Sequence, residues 1–96
     1  MKFSIEIKEP AKKGAIEAFL YYESQQKHLG ERFLDKMELV LNDISKHPKL
    51  YPEKYKTFRQ ALIKPFPYLI TFEISDQSII VYKVVFAKRH PDKLYK

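Results

Sequence analysis

Residues 59–74, Arg59 to Ile74, read RQALIKPFPYLITFEI. Apolar and polar residues alternate on either side of Pro65-Phe66-Pro67, and the second run ends in the β-branched and aromatic side chains that suit a pleated sheet. Two prolines so close together remove ladder donors and mark a turn. The stretch therefore predicts two strands joined at the prolines, with Arg59 inside the sheet. A third strand, Ser78 to Ala87, follows a turn at Ser75-Asp76-Gln77-Ser78 and leads into the basic tail Lys88-Arg89-His90. Its core, IIVYKVVFA, is broken only by Lys83, which is how a strand buried on both faces reads, so it is expected at the centre of the sheet.

Working back from the hairpin, Lys49 to Lys56 is a basic loop carrying Tyr51 and Tyr55. His47-Pro48 stops the helix before it, because the residue preceding proline is pushed out of helical geometry. That helix runs from Glu31 to about Lys46, with Phe33, Met37, Val40, Leu41 and Ile44 at three- and four-residue spacing. Leu29-Gly30 is a short break. An earlier helix opens at Glu9-Pro10, where proline loses no hydrogen bond, and is expected to end near Lys27-His28. Its apolar stripe reads as Ile16, Phe19, Leu20 and Tyr22; Gly14 weakens it without breaking it. Lys2 to Lys8 alternates as a strand with one buried face. The expected fold is α+β, in the order β-α-α-β-β-β: a helical hairpin packed on a mainly antiparallel four-stranded sheet of undetermined strand order.

The chain has 96 residues and is read as a single domain, 1–96, with a modest core. It has no cysteine, hence no disulfide and no thiolate metal site. Neither a membrane-spanning run nor a signal peptide is read, so the expectation is cytoplasmic. The net charge is +6, and its placement is informative. Residues 46–56 carry +3 and residues 88–96 another +3, while the remaining charges cancel. Such asymmetry suits an acidic partner, nucleic acid or protein; basic loops that keep a small protein soluble are the plainer reading.

Several chemistries find no footing. A glycine-rich phosphate loop cannot be built from two glycines. His28, His47 and His90 lack metal-ligand spacing, and no serine sits in a nucleophile elbow. No cofactor or metal is expected. What remains is basic and aromatic: Arg59, Arg89, His90, Tyr95, and the lysines and tyrosines of the 49–56 loop. Cations beside tyrosines suit phosphate and stacked bases, and they also suit metal-free phosphodiester cleavage, in which an arginine steadies the developing charge and another side chain moves a proton. Each residue also has a plainer reading. Arg59 can be an exposed sheet arginine or one paired with a helix carboxylate. Arg89 and His90 can be a solvated tail, and Tyr95 a terminal ring packed on the domain. Tyr68 is expected in the core.

With these residues in place, the chain resembles the RelE/ParE superfamily, the toxins of bacterial type II toxin–antitoxin modules, a group that includes plasmid stabilisation proteins. The likeness runs through Phe19-Leu20-Tyr21-Tyr22, Leu29-Gly30-Glu31-Arg32-Phe33, Ile44 with Pro48, Tyr51-Pro52 and Phe58-Arg59. It continues through Phe66-Pro67-Tyr68-Leu69-Ile70-Thr71-Phe72 and closes with Val84-Val85-Phe86-Ala87-Lys88-Arg89-His90-Pro91. The resemblance implies a growth-inhibiting toxin and a cognate antitoxin, expected to be acidic, whose partly disordered segment folds over it. RelE-like members cut mRNA in the ribosomal A site; ParE-like members bind DNA gyrase.

On the RelE pattern, Arg59 takes the place of a basic strand residue, Arg89 that of the arginine after the last strand, and Tyr95 that of the C-terminal tyrosine. Tyr95 or His90 would handle the proton. Two departures count against cleavage: Leu69 stands where RelE-like nucleases carry an arginine, and Ala87 where many relatives carry a histidine. The favoured expectation is ParE-like action on gyrase, with Lys49, Lys54, Lys56, Lys88, Lys93 and Lys96 as candidate target-binding cations. A ribosome-dependent mRNA endonuclease is the alternative, and an inactive relative that only binds is the third.

Overall fold

The computed structural model, which describes residues 2–87, runs through β1 (Ser4–Ile7), α1 (Glu9–Gln25), α2 (Leu29–Lys46), a 3-10 turn at Pro48–Leu50, β2 (Glu53–Tyr55), β3 (Phe58–Leu62), β4 (Tyr68–Ser75) and β5 (Ser78–Phe86). The sheet order is β1-β5-β4-β3-β2, parallel between β1 and β5 and antiparallel elsewhere. The β5 strand lies inside the sheet, as expected, but it is buried on one face rather than both: Ile79, Val81 and Val84 are buried, whereas Ile80, Tyr82 and Val85 are half-buried and Lys83 is exposed. Arg59 pairs with Phe72, Ala61 with Ile70 and Leu62 with Leu69 in the β3–β4 hairpin. At the tip of that hairpin Phe66 is buried and turns back into the core, edge-on to Tyr22 at 4.8 Å and to Phe33 at 5.3 Å. The Pro-Phe-Pro turn is thus also the plug that ties the hairpin to both helices.

A fifth strand joins the four expected from sequence. Within the stretch read as a basic loop, Glu53–Tyr55 folds back on β3, Glu53 opposite Arg59 and Tyr55 opposite Phe58. Lys56 makes the tight turn in the left-handed region, at φ 54°. All three β2 side chains are exposed, so the strand has no alternating pattern to betray it.

The first helix corrects the expected stripe. Ile16 and Leu20 are 58% and 59% exposed, while Ala11, Ala15 and Ala18 are buried. The helix rests on the sheet through small side chains because it lies very close to β5. A Cβ built on Gly14 would stand 2.2 Å from the Val84 carbonyl oxygen. Gly30 serves the helix–helix contact in the same way, its would-be Cβ lying 2.6 Å from the Phe19 carbonyl oxygen. The second helix starts at Leu29, two residues before the expected Glu31, so Leu29-Gly30 form its first turn rather than a break; its stripe buries Phe33, Met37 and Ile44 as read.

The inter-helix joint begins earlier than expected, after Gln25, and is fastened by a carboxylate. Glu23 accepts backbone N–H bonds from His28 at 2.8 Å and Gly30 at 3.0 Å, so a side chain of α1 caps the start of α2. These bonds, led by that from His28, hold the Glu23 carboxyl below its ordinary value. His28, at φ 70°, places its Nδ1 2.8 Å from Glu31 Oε2. The ligand-type atoms of Glu23, His28 and Glu31 lie within 4.8 Å of one another, and the cap together with the His28–Glu31 bond accounts for the grouping.

Candidate target-binding surface

Arg59 sits on the helix-side face of the sheet, as its pairing with the buried Phe72 dictates. Its side chain is 17% exposed. One guanidinium nitrogen donates to the Tyr51 carbonyl oxygen at 2.6 Å, and another lies 3.8 Å from a Glu53 carboxylate oxygen. Neither of the two plainer readings of Arg59 describes this: the partners are the backbone and a carboxylate of the adjoining segment 51–53, not solvent or a helix.

Tyr51 is held from the other side as well. Its hydroxyl donates to the Asp43 carboxylate on α2, and its ring stands edge-on to Phe72 at 5.8 Å. Asp43, Tyr51, Arg59 and Glu53 therefore form a clasp that fastens the segment after α2 to both the helix and the sheet. Burial foremost, then the Asp43 hydrogen bond and charge, push the Tyr51 hydroxyl up to about 12. An unfolded tyrosine ionises near ~10. The folded value is the higher one, so the stability contributed by Tyr51 is fully present below the unfolded value and is lost as pH rises through about 12. In a titration of tyrosinate absorbance, one group is expected to ionise near 12 in the wild type and to be missing in Tyr51→Phe. A wild-type curve without that late step would break the clasp as described.

Outside the clasp the surface is basic. Lys49 is exposed on the 3-10 turn, Lys54 on β2 and Lys56 on the turn that follows it. Lys56 Nζ lies 5.4 Å from the Tyr55 ring centre, a cation–π contact of modest strength at an exposed site. Lys88, Arg89, His90, Lys93, Tyr95 and Lys96 lie outside the described residues. Leu69 is half-buried on β4, opposite Leu62 and Val85. The Ala87 amide donates to the Pro67 carbonyl oxygen at 2.7 Å, closing the end of β5 onto the hairpin.

The face of the sheet turned away from the helices holds a polar group that sequence reading missed. Glu73 accepts hydrogen bonds from Thr57 and, at 3.0 Å, from the Tyr82 hydroxyl. Burial, followed by that hydrogen bond and the Glu73 charge, raises the Tyr82 hydroxyl above its ordinary value. The β4–β5 pairing slips between Thr71 and Phe72, and Tyr82 lies at this irregularity. No local motif announces such a bulge.

The family profile of the ParE toxin of the parDE type II toxin–antitoxin system matches residues 5–91. The chain belongs to this family. Two solved structures share its fold. One is the chromosomal ParDE toxin–antitoxin system from P. aeruginosa, with a TM-score of 0.65 at 11% identity, covering 91% of this chain and 98% of that one. The other is the E. coli DinJ–YafQ toxin–antitoxin complex, with a TM-score of 0.53 at 16% identity, covering 90% and 93%. No curated protein matches the sequence. Among the described residues, no helix is long and apolar enough to cross a membrane.

Proposed function

We propose that this chain is the toxin of a type II toxin–antitoxin module, that it arrests growth by binding DNA gyrase, and that a cognate antitoxin neutralises it. Membership of the ParE family, over residues 5–91, supports the reading. The observation that carries it against the nuclease alternative is the engagement of Arg59. A phosphate-stabilising arginine must aim its donors at the reacting group, whereas this one donates to Tyr51 and faces Glu53. Leu69 and Ala87, which replace the arginine and histidine that RelE-like nucleases or their wider relatives carry, point the same way. Loss of a single charged donor to a phosphoryl transition state costs about 3 kcal/mol, enough to slow cleavage roughly a hundredfold.

On this reading Arg59 holds structure. Arg59→Ala is expected to lower unfolding stability by about 1–2 kcal/mol, measured by urea denaturation. The nuclease reading expects the variant to keep its stability and lose RNA cleavage on ribosomes. Function itself is tested by induced expression in a bacterial host with pulse labelling. DNA synthesis is expected to fall before protein synthesis. Early arrest of translation would instead favour the ribosome and the set Arg59, Arg89, His90 and Tyr95. Normal growth with soluble protein would leave a relative that only binds.

A further inference from the structure

Leu50 is 78% exposed, and it is not on a loose loop. It ends a 3-10 turn whose first residue, Pro48, is buried. The Leu50 amide donates to His47 O at 3.1 Å and the Tyr51 amide to Pro48 O at 3.3 Å. The next residue, Tyr51, is the one gripped by Asp43 and Arg59. The turn is therefore anchored on both sides and presents a leucine outward at a fixed place. A lone exposed leucine needs no explanation. This one borders a hollow of about 340 Å³ lined by Phe3, Lys46, His47, Pro48, Lys49 and Leu50. None of the six is acidic, and Glu53, the one acid of the 46–56 segment, faces Arg59.

An apolar hollow rimmed by lysines on a rigid turn is the form of a protein contact whose centre is apolar and whose rim is charged. Leu50, exposed at the tip, is aliphatic, and the Phe3 ring beside it is half-buried, so the apolar contact it offers suits a protein side chain better than a stacked base. We infer that the Lys46–Leu50 turn is the docking point for an acidic segment of the toxin's protein target, which seats one apolar side chain against Leu50, Phe3 and Pro48 and sets carboxylates over Lys46 and Lys49. The inference rests on the gyrase reading above and names the surface that reading uses. It also gives the clasp a purpose: Arg59 and Tyr51 are positioning residues that hold the turn in its presenting conformation, which lowers the ordering cost of association.

Two measurements on the full chain separate this inference from the reading beneath it. The first titrates the isotope-labelled protein with a short glutamate-rich peptide containing one central leucine, and with its leucine-to-serine counterpart, following backbone amide shifts. Saturable shifts are expected at Phe3 and Lys46 to Tyr51, weakening about tenfold with the serine peptide and falling with added salt. Shifts elsewhere, indifference to the leucine, or the same amides moved instead by a single-stranded oligonucleotide would overturn the inference. The second compares gyrase binding by the wild type, Leu50→Asp and the comparator Leu62→Ser, another exposed leucine, on β3. Leu50→Asp is expected to bind at least about tenfold more weakly, with its amide spectrum otherwise unchanged. If the wild type binds gyrase and Leu50→Asp binds equally well, the docking inference fails and the gyrase reading stands. If the wild type does not bind gyrase, that reading fails and the peptide titration alone decides the docking site.

Discussion

Gly14→Ala is expected to lower the stability of this protein by about 2 kcal/mol, against the roughly 1 kcal/mol gain that helix propensity alone assigns to it. The opposing effects differ in kind. Alanine favours the helix and narrows the unfolded ensemble. Its methyl group, however, would stand 2.2 Å from the Val84 carbonyl oxygen, and that oxygen belongs to the backbone of an interior strand that cannot swing aside. The first helix must lift, and it rests on β5 through Ala11, Ala15 and Ala18, all buried, so the movement loosens a whole contact line. Overpacking of this kind costs about 1–3 kcal/mol and sometimes more, which exceeds the propensity gain. The melting temperature should fall by about 10 °C. Ile16→Ala, on the same helix but with a side chain 58% exposed, should change stability by less than about 0.5 kcal/mol. A Gly14→Ala protein that melts at or above the wild-type temperature would show that α1 does not lie as close to β5 as described.

Phe33→Ala should cost more still, about 3–5 kcal/mol. Phe33 is fully buried and is the ring through which α2 meets both the hairpin, 5.3 Å from Phe66 and 5.3 Å from Tyr68, and the first helix, 5.7 Å from Tyr22. Truncation removes contact area and leaves a cavity among rings that cannot all collapse into it. Against a typical total of about 5–15 kcal/mol for a domain, the loss takes a large share, and the variant should unfold at much lower urea. Phe33→Leu, closer in volume, should lose less than about 1.5 kcal/mol, so the pair gives a slope even if the alanine variant fails to fold. A loss below about 1 kcal/mol for Phe33→Ala would mean the aromatic cluster is not the core of the fold.

These two positions also show what the sequence could and could not carry. Phe33 is legible: it lies on a 3.6-residue stripe with Met37 and Ile44, and periodicity reports exactly that kind of burial. The hairpin is legible because Pro65 and Pro67 punctuate two alternating runs, and β5 because its run is apolar on both faces. Gly14 is not legible in the same way. Its value lies in what it lacks, and the partner that needs the space is seventy residues away. The stripe on α1 misled for the same reason, since alanines do the packing and the larger Ile16 and Leu20 are left outside. The β2 strand, three exposed residues, has no pattern to read, and local pattern does not encode that β1 pairs with β5 in parallel.

The surface divides similarly. Charge counting marked Lys49, Lys54 and Lys56 as candidate cations, all three of which the structure leaves exposed. It singled out Arg59 but could not tell a donor aimed at a ligand from one holding a carbonyl. That distinction depends on Tyr51 and Glu53, brought to Arg59 by the small strand that went unread. Leu50 gave no signal, because an exposed leucine between Lys49 and Tyr51 has no period.

The most direct test of the central claim uses purified protein in two reactions side by side: supercoiling by DNA gyrase, and integrity of mRNA on translating ribosomes. Inhibited supercoiling with intact mRNA is the expected result. Cut mRNA with unhindered gyrase would contradict it.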